Sequence, residues 1–379
     1  MFVVGFSTMA LIIVLSVFNG LEDLLRDLYG SFDPEIKIES VKGKSFELNT
    51  DFIQKINDIP GVNQVVFVVE DQAYVKYNKS EMVAVIKGVS ANYPSVNRLK
   101  SKIVEGELNF WNGNIPMAVV GQGIQYSLGV STADEYSTLQ VYYPKNLRSK
   151  SLNMSNTMTK MNLQVAGVFA IERQFDEKYI IVPITFASEL FRYQNRVTAL
   201  EVSVAEGSET LKVQAKLKAF LGNNFKVQNA DEQHDIILRT VKIEKLFVFV
   251  TFIFIIGVSS INIFFALSML AIDKKKDIGM LFSMGATARQ VRSIFLAEGA
   301  IISLSGAVVG LLLGLIIIIL QQEVGLVRMG LQTSVIDYYP VKLQVQDFVF
   351  TAGSIILITF LVSIRPAIMA SKFSKVIRS

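Results

Sequence analysis

Four apolar runs punctuate the chain at uneven intervals: 1–18, then 246–272, 297–320 and 348–364 after a long mixed stretch. Glu298 is the one acidic interruption inside them. At about 1.5 Å of helical rise per residue, runs of this length cover a hydrocarbon layer of roughly 30 Å. The pattern predicts a membrane α-helical protein with four transmembrane helices, one before and three after a large α+β domain. The expected boundaries are a first helix at 1–18, an extracytoplasmic domain at 19–245, a second helix at 246–272 and a connecting segment at 273–294. A third helix at 295–320, a loop at 321–347, a fourth helix at 348–366 and a tail at 367–379 follow.

Within 19–245 the periodicity changes. Glu35-Ile36-Lys37-Ile38-Glu39 alternates as a strand does, and Thr50 can cap a short helix presenting Ile53 and Ile56. Pro60-Gly61 stops that helix, and 62–69 returns as a strand. A second β-α-β unit follows downstream: strand at 199–204, helix at 208–221 with Leu211, Ala215 and Leu217 on one side, strand at 225–227. Two such units combine into a split β-α-β sandwich, here from 19–114 and 193–245. Between them, 115–192 reads as an inserted β-rich subdomain, with strands at 138–143, 163–169 and 179–183. The run from Pro144 to Met161 is polar and irregular, a long loop that is either disordered or used for contacts.

Composition agrees with two environments, because 51% hydrophobic residues and a mean hydropathy of +0.42 coexist with 18% charged residues. Charge also gives sidedness. Positive residues in short loops mark the cytoplasmic face. Lys274, Lys275, Lys276, Arg289 and Arg292 follow the second run, and Arg365, Lys372, Lys375 and Arg378 end the chain. Both belong inside, so parity puts 19–245 outside. Arg239, Lys242 and Lys245 dissent, since they precede the second run on the outer side. The first run has no basic n-region and no small-x-small cleavage site, which favours a retained helix over a signal peptide. It begins at Met1 without a cytoplasmic flank, which leaves room for a start upstream.

The chemistry on offer is narrow. The chain has no cysteine and a single histidine, His234, which argues against thiol catalysis, Ser-His-Asp catalysis and a multi-histidine metal site. Asp231, Glu232 and Asp235 beside it read as solvated acids, so no metal or cofactor is expected. Gly43-Lys44-Ser45 lacks the first glycine of a phosphate-binding loop, Ile38 standing in its place, so any ATP-driven role needs a partner ATPase. Gly121-Gln122-Gly123 is a strand-to-helix turn, and Asn78-Lys79-Ser80 and Asn153-Met154-Ser155 match glycosylation acceptors too short to mean much. Gly306, Gly310 and Gly314 lie on one helix face, a packing surface for a helix of this chain or of a second subunit. The segment 273–292 places Ile278, Leu281 and Phe282 at helical spacing, breaks at Met284-Gly285-Ala286-Thr287, and can restart with Thr287 as cap. It is either an amphipathic helix resting on the membrane surface or a lever fitting a motor protein's groove.

That segment, Asp277-Ile-Gly-Met-Leu-Phe-Ser-Met-Gly-Ala-Thr-Ala-Arg-Gln-Val followed by Phe295-Leu-Ala-Glu-Gly, resembles the coupling segment of FtsX/MacB-like (type VII) ABC transporter permeases. Val14-Leu-Ser-Val-Phe-Asn-Gly-Leu-Glu22, Ile59-Pro-Gly-Val62, Ile86-Lys-Gly-Val89 and Asp176-Glu-Lys-Tyr179 are similar to the lipoprotein-releasing (LolC/LolE) branch. The resemblance implies a bacterial inner-membrane complex of two permeases and a cytoplasmic ATPase dimer, passing lipoproteins to a periplasmic carrier, with no nucleic acid involved. It implies Porter-like and Sabre-like halves for the outer domain. Contact with the ATPase falls to Lys274, Lys275, Lys276, Asp277, Ile278, Leu281, Met284, Gly285, Ala286, Thr287 and Gln290. A hook gripping the carrier falls to Pro144, Lys145, Asn146 and Leu147, although the proline and glycine typical further along are missing, as are a cytoplasmic helix and half of helix one.

Burying acyl chain is worth about 0.8 kcal/mol per CH₂, so drawing three chains through water costs on the order of tens of kcal/mol. The chains must therefore slide from lipid into an apolar cleft, for which Phe249, Phe252, Ile253, Ile256 and Phe264 are candidates, unless they simply face lipid. Two other readings compete. A MacB-like efflux permease normally carries its ATPase on the same chain, and an FtsX-like regulator transmits ATPase motion to a periplasmic hydrolase. A membrane-anchored enzyme lacks a nucleophile, base and orienting group.

Overall fold

The computed structural model describes residues 2–93, 98–132, 137–145, 158–328 and 338–372. In chain order its main elements are α1 (Phe2–Gly30), β1 (Ile36–Ser40), β2 (Phe46–Glu47), α2 (Thr50–Asn57), β3 (Val62–Tyr77) and β4 (Ser80–Val89). Then come β5 (Ile103–Gly106), β6 (Trp111–Asn112), β7 (Ile115–Gly121), α3 (Gln122–Leu128), β8 (Leu139–Pro144) and β9 (Met158–Phe169). They are followed by β10 (Tyr179–Pro183), α4 (Ile184–Phe191), β11 (Arg196–Val197), β12 (Ala199–Val204), α5 (Thr210–Leu221) and β13 (Phe225–Asn229). The chain closes with α6 (Asp235–Asp273), α7 (Lys275–Ser283), α8 (Ala288–Val324) and α9 (Val345–Lys372). The described residues divide into a helical unit (2–24, 236–328 and 338–372) and a sheet unit (25–235).

In the sheet unit, β13, β1, β12 and β3 pair antiparallel in that order. Alternation sends Ile36, Ile38, Leu200 and Val202 to one face, where α2 and α5 cover them. α2 is capped by Asn49, whose side chain accepts from Asp51 N–H, not by Thr50 as expected. In α5 the buried side chains are Val213, Gln214, Leu217 and Leu221, whereas Leu211 is 67% exposed. A helix with apolar residues on several sides does not reveal from spacing which side meets the sheet.

The segment 115–192 does not form a sheet of its own. β3 runs on past Val69 to Tyr77, turns through Asn78-Lys79 with Asn78 at φ +52°, and returns as β4. β4 pairs with β10, β10 with β7, β7 with β9, β9 with β8, and β8 with the far end of β3. These six strands close a ring, filled by Val75, Ile86, Val120, Val141, Leu163 and Ile180. Closure pairs each of these six strands on both sides, while β13 and β5 stand at the two ends of the sheet.

In the helical unit all four long helices overrun their apolar cores. α1 continues past residue 18 to Gly30, α6 begins at Asp235 rather than 246, and α8 spans Ala288–Val324. α9 passes Pro366 and ends at Lys372, held there by Ala367 and Ala370 in an apolar cluster. Apolarity marks the lipid, whereas helical hydrogen bonding continues wherever side chains allow it. All four are long and apolar enough to cross a membrane.

Candidate functional site

The segment singled out from sequence forms an elbow. α6 ends at Asp273, Lys274 makes a one-residue break, and α7 carries the chain to Ser283. Gly285 then takes φ +95°, a left-handed backbone that side-chain-bearing residues rarely adopt. Thr287 restarts the helix through a reciprocal capping box: its Oγ1 accepts from Gln290 N–H at 3.3 Å, and Gln290 Oε1 accepts from Thr287 N–H at 2.7 Å.

What anchors the elbow is Ile278. Expected on the contact face, it is only 3% exposed and packs with Ala271 of α6, Val291 and Phe295 of α8, and Ala367 and Ala370 of α9. It cannot touch another protein without unfolding that cluster. Arg292 Nε donates to Ser371 Oγ at 3.0 Å and adds a polar tie between α8 and α9.

The opposite side of the elbow is open. Leu281, Met284, Gly285, Ala286, Gln290 and Ile294 line a concavity of about 510 Å³, and Met284 is 82% exposed. Met280, which sequence reading passed over, is 60% exposed on the same short helix. Spacing from Asp277 through Met280 and Leu281 to Met284 carried that signal. Lys274, Lys275 and Lys276 are exposed, with Lys274 Nζ 3.0 Å from Asp277 Oδ2. Three cations crowd the start of α7, where the helix dipole disfavours positive charge. Local helix stability therefore does not explain them.

Within the bundle, α8 meets α1 through glycines. A Cβ on Gly310 would lie 2.2 Å from the Gly5 carbonyl oxygen, one on Gly314 would lie 2.4 Å from Ile12, and one on Gly5 would lie 2.9 Å from the Gly306 oxygen. The surface at Gly306, Gly310 and Gly314 therefore faces a helix of this chain. Ile256, expected to line a cleft, is 1% exposed in the interhelical core with Leu11, Leu15, Ile263 and Ile355. Phe249 and Phe252 are half-buried against that core, and Ile253 and Phe264 are half-buried. Ser303 and Thr359 hydrogen bond to each other across α8 and α9.

In the sheet unit, Pro144 ends β8 opposite Met158 and Lys145 follows it, while Asn146 and Leu147 lie outside the described residues. His234 Nε2 sits 2.6 Å from Asp33 Oδ2 and stacks on Tyr29 at 3.8 Å. Asp231 pairs with Arg26, and Glu232 serves the capping box of Asn229. The acids around His234 are thus occupied by partners. Lys87 is buried 2.7 Å from Glu201 and stays charged: burial works against it, but Glu201, Tyr93 and Glu70 outweigh that and raise its pKa. Burial pushes Asp176 up to about 6 despite the N–H groups of Ile171 and Glu172.

Residues 1–220 match the MacB-like periplasmic core domain, and residues 249–375 match the FtsX-like permease C-terminal domain. The lipoprotein-releasing system transmembrane protein LolC of Buchnera aphidicola subsp. Schizaphis graminum is 24% identical over 317 residues, covering 83% of this chain and 76% of that protein. LolE of Haemophilus influenzae is 21% identical over 263 residues, covering 67% of this chain and 62% of its own length. The crystallised periplasmic region of MacB from Actinobacillus actinomycetemcomitans aligns with 57% of this chain and 97% of that one, at 13% identity and a TM-score of 0.39.

Proposed function

The chain belongs to the FtsX/MacB-like permease family, and we propose that it is the permease subunit of an ABC transporter that releases lipoproteins from the inner membrane for transfer to the outer membrane. A cytoplasmic ATPase dimer supplies the energy, and a second permease, identical or not, completes the pathway. The Lol relatives support the substrate class, and the positive charge around the elbow supports its cytoplasmic placement. We read β13-β1-β12-β3 with α2 and α5 as the split, Porter-like half in the periplasm, and the six-strand ring as its Sabre-like insertion. Pro144, Lys145, Asn146 and Leu147 are assigned to contact with a carrier.

The observation that carries the proposal is the two-sided elbow. Leu281 and Met284, with Gly285, Ala286, Thr287 and Gln290, offer an apolar face to the ATPase, and Lys274, Lys275, Lys276 and Asp277 offer charge. Ile278 on the other side is packed with three membrane helices. A close-packed cluster transmits displacement instead of absorbing it, so a push on α7 moves the ends of α6, α8 and α9 together. The stroke need supply only the difference between lipid and an apolar path beside Phe249, Phe252, Ile253 and Phe264, with Ile256 becoming part of that path only when α1 and α6 separate.

Depletion in the host tests the reading. Outer-membrane lipoproteins are expected to accumulate in the inner membrane, and an ATPase is expected to co-purify with the chain. Normal lipoprotein sorting with altered cell separation would instead favour a regulator of a periplasmic hydrolase.

A further inference from the structure

At one end of the helical unit, where α1 also packs closely on Pro340, a charged cluster joins three helices. Lys245 Nζ of α6 donates to Asn19 Oδ1 of α1 at 2.6 Å and lies 3.0 Å from Asp347 Oδ1 of α9. Asn19 Nδ2 in turn donates to Asp347 Oδ2 at 2.6 Å and to the Lys342 carbonyl at 3.2 Å, so each member touches the other two. Asn19 is 2% exposed and Asp347 is 7% exposed, which places charge and amide out of bulk water.

The cluster is a poor choice as a mere strut. Desolvating a charged group is costly, and apolar packing of the same volume usually holds helices at least as well. What a charged cluster adds is direction and abruptness, because it holds only while three groups stay within bonding distance and dissolves once water enters. Ser16 Oγ, one turn deeper on α1, and Thr351 Oγ1, one turn deeper on α9, are buried close by without a hydrogen-bond partner among the described residues. Directly below Lys245 on α6 lie Phe249 and Phe252, half-buried against the bundle core.

We propose that Asn19, Lys245 and Asp347 form a latch that holds α1 and α6 closed at the periplasmic face of the inner membrane and releases when an acyl chain enters between them. The proposal rests on the lipoprotein-releasing reading and names the regulation of that path. In the open state Lys245 reaches headgroup phosphates and water, as a long cationic side chain at a membrane boundary can.

The absence of native cysteine makes the test clean. One turn outward, Glu22 Oε1 of α1 and Lys242 Nζ of α6 lie 3.9 Å apart, so thiols there leave the latch itself intact. Glu22→Cys with Lys242→Cys is joined by a short, reducible bifunctional thiol reagent, in nanodiscs with the co-purified ATPase and a fluorescent triacylated lipoprotein. Linkage is expected to slow extraction by roughly tenfold or more and reduction to restore it. Extraction by the linked complex at the unlinked rate would overturn the latch. In parallel, Lys245→Met is expected to raise ATP hydrolysis without substrate several-fold and to flatten its stimulation by lipoprotein, with Lys245→Arg restoring both. A purely structural tie would lower the melting temperature and leave the stimulation ratio unchanged, which also overturns the proposal. Failure of the transport reading looks different: the unlinked complex then extracts no lipoprotein, and the latch falls with it.

Discussion

The two ends of the helical unit are closed by opposite kinds of chemistry. At the basic end, Ile278, Val291, Phe295, Ala271, Ala367 and Ala370 interlock with scarcely a polar atom among them. At the other end, Lys245, Asp347 and Asn19 hold α1, α6 and α9 through hydrogen bonds and charge, with Lys342 clasping Asp23 beside them. Apolar packing is non-directional and strong over a range of small displacements, which suits a joint that must move as a block. A charge cluster is all-or-none in geometry, which suits a closure that must open. Two of the three positive residues that dissent from the charge rule have acidic partners here: Lys245 pairs with Asp347, and Lys242 faces Glu22.

Substitutions that swap the chemistry of one end for that of the other break the comparison most severely. Ile278→Asp places an unpaired carboxylate in the apolar cluster, at a cost of several kcal/mol, about the 2–5 kcal/mol of a core truncation or more. Loss of ATPase stimulation together with a lowered melting temperature is expected, and full stimulation would show that α7 is not anchored through Ile278. Next in size is Asp347→Ala, which strands Lys245 and is expected to cost about 3 kcal/mol in thermal unfolding. Lys245→Met combined with Asp347→Leu should recover most of that stability, since both charges then leave together. A double-mutant cycle without coupling would mean that the outer end is held by packing after all.

Gly285→Ala sharpens the picture at the elbow itself. With φ at +95° and open space around the position, the expected cost of about 1–2 kcal/mol is backbone strain alone. Coupling should weaken while the bundle below stays intact, as read by proteolysis of 273–292. The smallest effect lies in the sheet unit and identifies its melting transition. Asp176 titrates near 6 when folded, above an ordinary aspartate, so the native state holds that proton more tightly than the unfolded chain. Its stabilising contribution is present below pH 4 and disappears as pH rises through about 6. Calorimetry between pH 7 and 5 should therefore move the sheet-unit transition upward by an amount on the order of 1 kcal/mol at most.

Much of the architecture was legible because lipid imposes long apolar runs and sheets impose alternation. The places that misled have local causes. Helix ends do not coincide with the edges of apolar runs, because hydrogen bonding carries α1 to Gly30 and α6 back to Asp235. The strand expected at 62–69 runs on to Tyr77, because Glu70 and Lys87 are register partners and Asp71 accepts from Tyr143 Oη at 3.0 Å. Ring closure by β8 depends on pairings distant in sequence, which periodicity does not encode. At the elbow, the break at Gly285 and the cap at Thr287 were readable from residue type. The inward turn of Ile278 was not, because it is decided by α8 and α9. Asn19, Lys245 and Asp347 lie far apart along the chain, so nothing local announced that they meet.

The central claim is that the elbow has an anchored side and a partner side. Site-directed thiol cross-linking of the complex with its co-purified ATPase tests it directly, using Met284→Cys and Ile278→Cys one at a time with a photoactivatable maleimide. The account predicts that Met284→Cys cross-links to the ATPase with a yield that changes on ATP addition, and that Ile278→Cys stays unlabelled in the folded complex. Labelling of Ile278→Cys with cross-links to the ATPase, and none from Met284→Cys, would contradict it.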